Sequence, residues 1–128
     1  EGSRAGQPDP EVVKIVEETS AELGITRTTI DDEEVLDRCI LALVNEGARI
    51  LEDKIAIRAC DIDIVYINGY GFPEVTGGPM FWADQMGLDV VLKKIEGFRE
   101  KYGDFWTPAP LLERLAKDGK SFASLAQG

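Results

Sequence analysis

Two groups of carboxylates have residue types and spacing that could do chemistry: the run Asp31-Asp32-Glu33-Glu34, and the pair Asp61 and Asp63. Carboxylates so spaced can serve as general acid and base or hold a divalent cation. Neither group brings the rest of a ligand set. The calcium-loop pattern requires a glycine and a terminal acid at fixed positions, and these do not follow. Helix capping and solvation are therefore the expected roles. The chain contains no histidine. Without an imidazole it cannot build a Ser-His, Cys-His or His-metal site, so no catalytic and no metal-ligating residue is expected. Cys39 and Cys60 fit no metal spacing and fall in segments that read as helix. They are expected to be reduced and largely buried.

The glycine-rich stretch from Asn68 to Pro79 invites comparison with phosphate-binding loops. Gly69-Tyr70-Gly71 leads into Phe72 and Pro73 rather than into the spacing of a dinucleotide fingerprint. No cofactor-binding residue is expected in this chain. The same stretch carries Tyr70, Phe72, Pro73, Phe81 and Trp82, which suit an apolar wall, either in the domain's own core or against a partner. Asn45-Glu46-Gly47 interrupts a long apolar stripe. A polar side chain there is satisfied by backbone or a neighbouring helix, or it points into a ligand pocket. The candidate surface residues are thus Asn45, Tyr70, Phe72, Pro73, Phe81 and Trp82.

The elements that must position these residues are mostly helical. Asp9-Pro10-Glu11 is a helix start, with a capping acid and proline at the first position, and Gly24 is its stop. The acidic run 31–34 opens a long helix ending near Asp53, whose apolar stripe includes Val35, Leu36, Cys39, Ile40, Leu43, Val44, Ile50 and Leu51. Gly47 lies in that stripe, where a missing side chain lets another helix approach. From Ala59 to Asn68 the alternation of Ile62, Ile64 and Tyr66 with Asp61, Asp63 and Val65 leans toward a strand. Asn68 to Pro73 reads as loop. Helices follow from Pro79 to Gly87, from Leu88 to Tyr102-Gly103, and from Pro110 to Gly119.

A length of 128 residues suits one domain, divided here into a linker or upstream remnant, 1–8, and a folded part, 9–128. The formal charge of −10 repels phosphate backbones and anionic headgroups, so neither nucleic acid nor membrane insertion is expected. The opening residues carry no apolar signal core.

The residues Val44-Asn45-Glu46-Gly47-Ala48, Asp61-Ile62-Asp63, Gly69-Tyr70-Gly71-Phe72-Pro73 and Gly77-Gly78-Pro79-Met80-Phe81-Trp82-Ala83-Asp84 closely resemble the C-terminal domain of 3-hydroxyacyl-CoA dehydrogenases. Asp9-Pro10-Glu11-Val12, Tyr102-Gly103 and Pro108-Ala109-Pro110-Leu111-Leu112 extend the match over nearly the whole chain. Gly77-Gly78 and Trp82-Ala83-Asp84 look most like the second, terminal copy in multifunctional fatty-acid β-oxidation proteins. The resemblance implies an all-α, compact multi-helix domain of the 6-phosphogluconate-dehydrogenase C-terminal-like type. It makes 59–68 a helix, against the periodicity.

The family's chemistry resides upstream, in a Rossmann domain that binds NAD and carries a His-Glu pair. This chain resembles the helical end without that half, so NAD is implied for the parent enzyme alone and the isolated fragment is expected to be inactive. The parent is implied to oxidise L-3-hydroxyacyl-CoA, with an enoyl-CoA hydratase activity as an option. The family's first helical copy opens its long helix with Val-Asn-Arg, whose Asn contacts substrate. Leu36-Asp37-Arg38 stands here, and an aspartate cannot donate that amide hydrogen bond. This copy is therefore expected to support the acyl-CoA cleft and interdomain or dimer contacts rather than bind substrate itself. The implied partners are the upstream Rossmann and first helical domains of the same polypeptide, acyl-CoA in the parent, and a homodimer as an option. Cytoplasmic placement is expected, with the mitochondrial or peroxisomal matrix as the alternative. The rival reading is a free-standing helical protein-interaction module with no catalytic role.

Overall fold

The computed structural model describes residues 9–127, and the linker expected at 1–8 lies outside the described residues. The chain divides into two compact units, one up to Asp31 and one from Asp32 on. The first contains α1, Pro10–Glu22. Asp9 caps it by accepting a hydrogen bond from Glu11 N at 2.9 Å, and Pro10 fills the first helical position, where no amide is needed. No residue of α1 is buried.

The second unit is built on α2, Asp32–Glu52, followed by α3, Ala59–Tyr70, α4, Pro79–Met86, α5, Leu88–Tyr102, and α6, Pro110–Lys117. Short 3₁₀ turns occur at Glu74–Thr76, Asp104–Trp106 and Phe122–Gln127. Among the described residues there is no strand, as an all-α domain requires. The strand-like alternation from Ala59 to Asn68 is thus overturned: the segment is helical. Its apolar residues fall on all sides of α3, with Ile62 buried and Ile64 and Val65 exposed, which is why a period of two and a helix looked alike. The expected loop at Asn68 also begins later. Asn68 Nδ2 donates to Ile64 O at 2.9 Å within the helix, and Gly71, at φ 72°, ends it. Phe72 N then bonds back to Tyr66 O at 3.1 Å, closing a left-handed C-terminal cap.

One core joins these helices. Leu41, Val44, Ala48 and Leu51 of α2 meet Ile62 of α3, Met80 and Ala83 of α4, Leu88, Val91 and Ile95 of α5, and Leu111, Leu112 and Leu115 of α6. Trp106 and Phe122, from the 3₁₀ turns, complete it. The buried stripe of α2 is narrower than the sequence suggests, since Val35, Leu36 and Cys39 are exposed. Gly47 works as expected. A Cβ there would lie 2.5 Å from Met80 Sδ, so its absence lets α4 seat against α2.

Candidate functional site

The loop Gly77-Gly78 runs straight into the N-terminus of α4, the arrangement in which exposed backbone amides cradle a phosphate. Here that position holds an internal anion. α3 delivers the Asp63 carboxylate, only 6% exposed, against α4. Its Oδ1 accepts from Met80 N at 2.7 Å and its Oδ2 from Phe81 N at 3.2 Å. Burial pushes the Asp63 carboxyl above the usual carboxylate range; the two amides oppose that rise, and the nearby Asp84 carboxylate adds to it. Gly78 sits at φ 97° and ψ 166°, a region open essentially to glycine alone, and a Cβ there would strike the Asp63 side chain. A Cβ on Gly77 would strike the Phe81 ring. The glycines therefore make room for Asp63 and Phe81. A dinucleotide phosphate does not fit, because a carboxylate already occupies the helix end. Asp84 does the same one element later, accepting from Phe122 N at 2.7 Å and Ala123 N at 2.9 Å. Asp61 accepts from Arg58 N at 3.1 Å at the start of α3. Among the described residues no group of three or more His, Cys, Asp or Glu could hold a metal ion, and no helix is long and apolar enough to cross a membrane.

Asn45 faces inward, 3% exposed, and both ends of its amide are engaged. Nδ2 donates to Thr107 O at 2.9 Å and Oδ1 accepts from Ala109 N at 2.8 Å. Arg49, one turn on, donates to the same Thr107 carbonyl at 2.6 Å. Together they clamp the entry to α6 onto the middle of α2. Asp37, the residue standing where the resemblance places a substrate-contacting Asn, accepts from Lys94 Nζ of α5 at 2.5 Å. The Lys94 amine is held above its ordinary range, first by that hydrogen bond. Glu34 ties the start of α2 to the end of α5: it accepts from Tyr102 Oη, from Arg38 at 2.5 Å and from Lys101 at 3.1 Å. The Tyr102 hydroxyl, then Arg38 and Lys101, bring its pKa from 4.5 down to about 2. Arg38 also lies 3.8 Å over the Tyr102 ring.

The aromatic residues singled out in the sequence do not form one wall. Tyr70 is 76% exposed and Phe81 51%, Pro73 is exposed, and Phe72 and Trp82 are half-buried. Tyr70 and Phe72 flank Tyr66, at ring separations of 5.3 and 6.4 Å, while Phe81 lines a separate small cavity with Cys60, Asp63 and Phe122. Both cysteines are exposed, contrary to the burial expected for them. Cys39 lies on the edge of α2 outside the 41/44/48/51 stripe, and Cys60 on the open first turn of α3.

Two features went unread in the sequence. An apolar groove of 430 Å³ lies between the end of α2 and α3, lined by Ile50, Ile55, Ala56, Ile57, Ile62, Val65 and Tyr66, with Asp61. Its signal was two isoleucines inside a connection, where polar residues are the rule. The other is a phosphate-loop-like triplet, Gly119-Lys120-Ser121, after α6. It follows a helix rather than a strand and has Arg114 where such a loop needs glycine, so it too lacks the geometry.

The model of the 3-hydroxyacyl-CoA dehydrogenase C-terminal domain matches residues 35–128. The chain is similar to the peroxisomal bifunctional enzyme of Danio rerio, 42% identical over 120 residues, which covers 92% of this chain and 17% of that protein. It is 38% identical over 129 residues to the peroxisomal bifunctional enzyme of Homo sapiens, covering 96% of this chain and 18% of that protein. To the peroxisomal fatty acid beta-oxidation multifunctional protein of Oryza sativa it is 36% identical over 115 residues, covering 87% and 16%. It thus spans a small part of the length of each. On these matches and this all-helical architecture, the chain belongs to the 3-hydroxyacyl-CoA dehydrogenase C-terminal domain family.

Proposed function

We propose that the chain, as a domain running 9–128, is the terminal helical domain of a multifunctional fatty-acid β-oxidation protein. In that reading the parent oxidises L-3-hydroxyacyl-CoA to 3-oxoacyl-CoA with NAD, and this domain supplies architecture rather than chemistry. The observation that carries the reading is Asp63, whose carboxylate takes the one helix N-terminus that the double glycine opens. Asp37 supports it, being engaged by Lys94 rather than left to meet a substrate. Tyr70, Phe72, Pro73, Phe81 and Trp82 are proposed to face the acyl-CoA cleft or the neighbouring domains. Asn45 serves that surface from behind, by fixing α6 on α2. NAD belongs to the upstream part, and homodimerisation remains part of the proposal. The names of the relatives favour a peroxisomal setting over the cytoplasmic one expected from the sequence.

The test is enzymatic. The full-length polypeptide should form NADH from an L-3-hydroxyacyl-CoA, and the 128-residue chain alone should form none. A full-length protein that fails to turn over any such thioester, across chain lengths, would refute the proposal.

A further inference from the structure

Ile55 and Ile57 are the least expected side chains on this surface, 76% and 88% exposed in a connection between two helices. The backbone holds them there. Lys54 takes φ 58°, the one positive φ on a non-glycine among the described residues. A left-handed residue just past a helix end belongs to the C-terminal cap, whose reversed hydrogen bonds enforce it. The enforcement is visible: Ile55 N bonds to Ile50 O at 3.0 Å, with Ala56 N at 3.4 Å from the same carbonyl. The turn thus reverses tightly at the end of α2 and presents Ile55-Ala56-Ile57 as a ledge. Opposite the ledge stand Ile62, Val65 and Tyr66 of α3, and the 430 Å³ between them is walled by aliphatic side chains and one ring. Asp61 and Arg58 form a mutual ion pair at 2.6 Å, so Asp61, the one carboxylate lining the groove, is already neutralised.

We propose that this groove is the seat of an apolar helix face from the upstream part of the same polypeptide. The inference rests on the reading that this chain is one domain of a longer protein. The argument for that occupant is the amount of chain outside the structure: the relatives match this sequence over 17% of the Danio rerio protein and 18% of the human one. Such a tethered segment binds at high effective concentration, so a shallow groove suffices. Two helices carrying an apolar trough between them are the usual receptor for a third, read through anchors at i, i+3, i+4 and i+7. An aliphatic patch left open in the finished protein would instead be an aggregation hazard.

Radical or carbene footprinting on the full-length polypeptide and on the 128-residue chain tests this, with the label read at Ile55, Ile57 and Val65. Labelling of these three should fall at least five-fold in the full-length protein, while the exposed Val75, which does not line the groove, serves as a reference. Equal labelling in both would overturn the proposal. Protection that appears in the 128-residue chain and grows with its concentration would overturn it too, naming a second copy as occupant. The double variant Ile55→Ser/Ile57→Ser guards against misreading. It should leave the melting temperature of the short chain unchanged and restore labelling of Val65 in the long one. Turnover on the same preparation separates this inference from the enzymatic reading. A protected groove without NADH formation refutes only the enzyme, and an open groove with normal turnover refutes only the docking.

Discussion

Replacing Gly78 by alanine should be among the most damaging single-methyl changes available in this domain. Two costs combine. The backbone at φ 97° and ψ 166° is a region that residues with a Cβ avoid, at about 1–3 kcal/mol. The new methyl also falls on the Asp63 side chain, which cannot retreat without lengthening its bonds to Met80 N and Phe81 N, at 2.7 and 3.2 Å. Weakening two charge-assisted, buried hydrogen bonds costs on the order of 1–3 kcal/mol more. The sum is about 4 kcal/mol, against a total stability of roughly 5–15 kcal/mol for a domain. For about a hundred residues, each kcal/mol moves the melting temperature by roughly 4–8 °C, so Gly78→Ala should melt ~15 °C or more below the parent. Gly97→Ala is the control. Gly97 lies inside α5 with nothing within 4 Å of an added Cβ, and the same methyl there should stabilise by about 0.5–1 kcal/mol. Calorimetry or circular dichroism melts of the three proteins decide. Gly78→Ala within about 3 °C of wild type would refute the account of the loop as an Asp63 brace, whatever Gly97→Ala does. In a double-mutant cycle, Asp63→Ala should relieve part of the Gly78→Ala penalty, because the obstructing side chain is gone.

Asn45→Ala should cost about 1–3 kcal/mol, since it leaves the fully buried Ala109 amide without its acceptor; denaturant unfolding reads it, and an unchanged midpoint would contradict the clamp. Glu34 titrates near pH 2 in the folded state against 4.5 as its ordinary value, so its contribution is present above about 4.5 and is lost as pH falls toward 2. Glu34→Gln should therefore flatten the stability profile in that acidic window and leave the neutral region's slope unchanged. Both cysteines should react with a thiol-exchange chromogen in the native protein, giving two equivalents without denaturant. The 128-residue chain titrated with NADH in a calorimeter should show no micromolar binding, as expected where Asp63 holds the helix end.

Much of the architecture was legible because its boundaries are chemical. Asp9-Pro10, Gly77-Gly78-Pro79, Gly87, Gly103 and Gly119 impose starts and stops that tertiary contacts do not override, and the helices begin and end beside them. The acidic run 31–34 marked α2 for a similar reason. Burial was less legible. A stripe on α2 drawn from hydrophobicity alone included Val35, Leu36 and Cys39, yet which arc of a helix faces inward depends on where α4 and α6 arrive, and no local pattern encodes that. Trp106 and Phe122 went unread as core because each sits in a short turn with no periodicity to display it. The role of Asn45 was half visible: a polar residue in an apolar run announced a partner, but that partner lies 62 residues away. Asp63 was expected only to cap a helix or be solvated, and the helix end it reaches lies 17 residues on. The isoleucine ledge was missed because a helix-by-helix reading gives connections no face.

The clamp between α2 and the entry to α6 has a consequence in time. Asn45 meets Thr107, 62 positions further along the chain. On a ribosome adding roughly 5–20 residues per second, α2 emerges about 3–12 s before the strand of chain that secures it. Through that interval Leu41, Val44, Ala48 and Leu51 have only the provisional cover of α3, α4 and α5. Closing so long a loop is entropically slow as well, which sets this helical unit apart from bundles whose neighbours in sequence are neighbours in space. A late stretch of the second unit thus locks its first helix, and slowing translation after α5 should lengthen the period in which chaperones can bind α2.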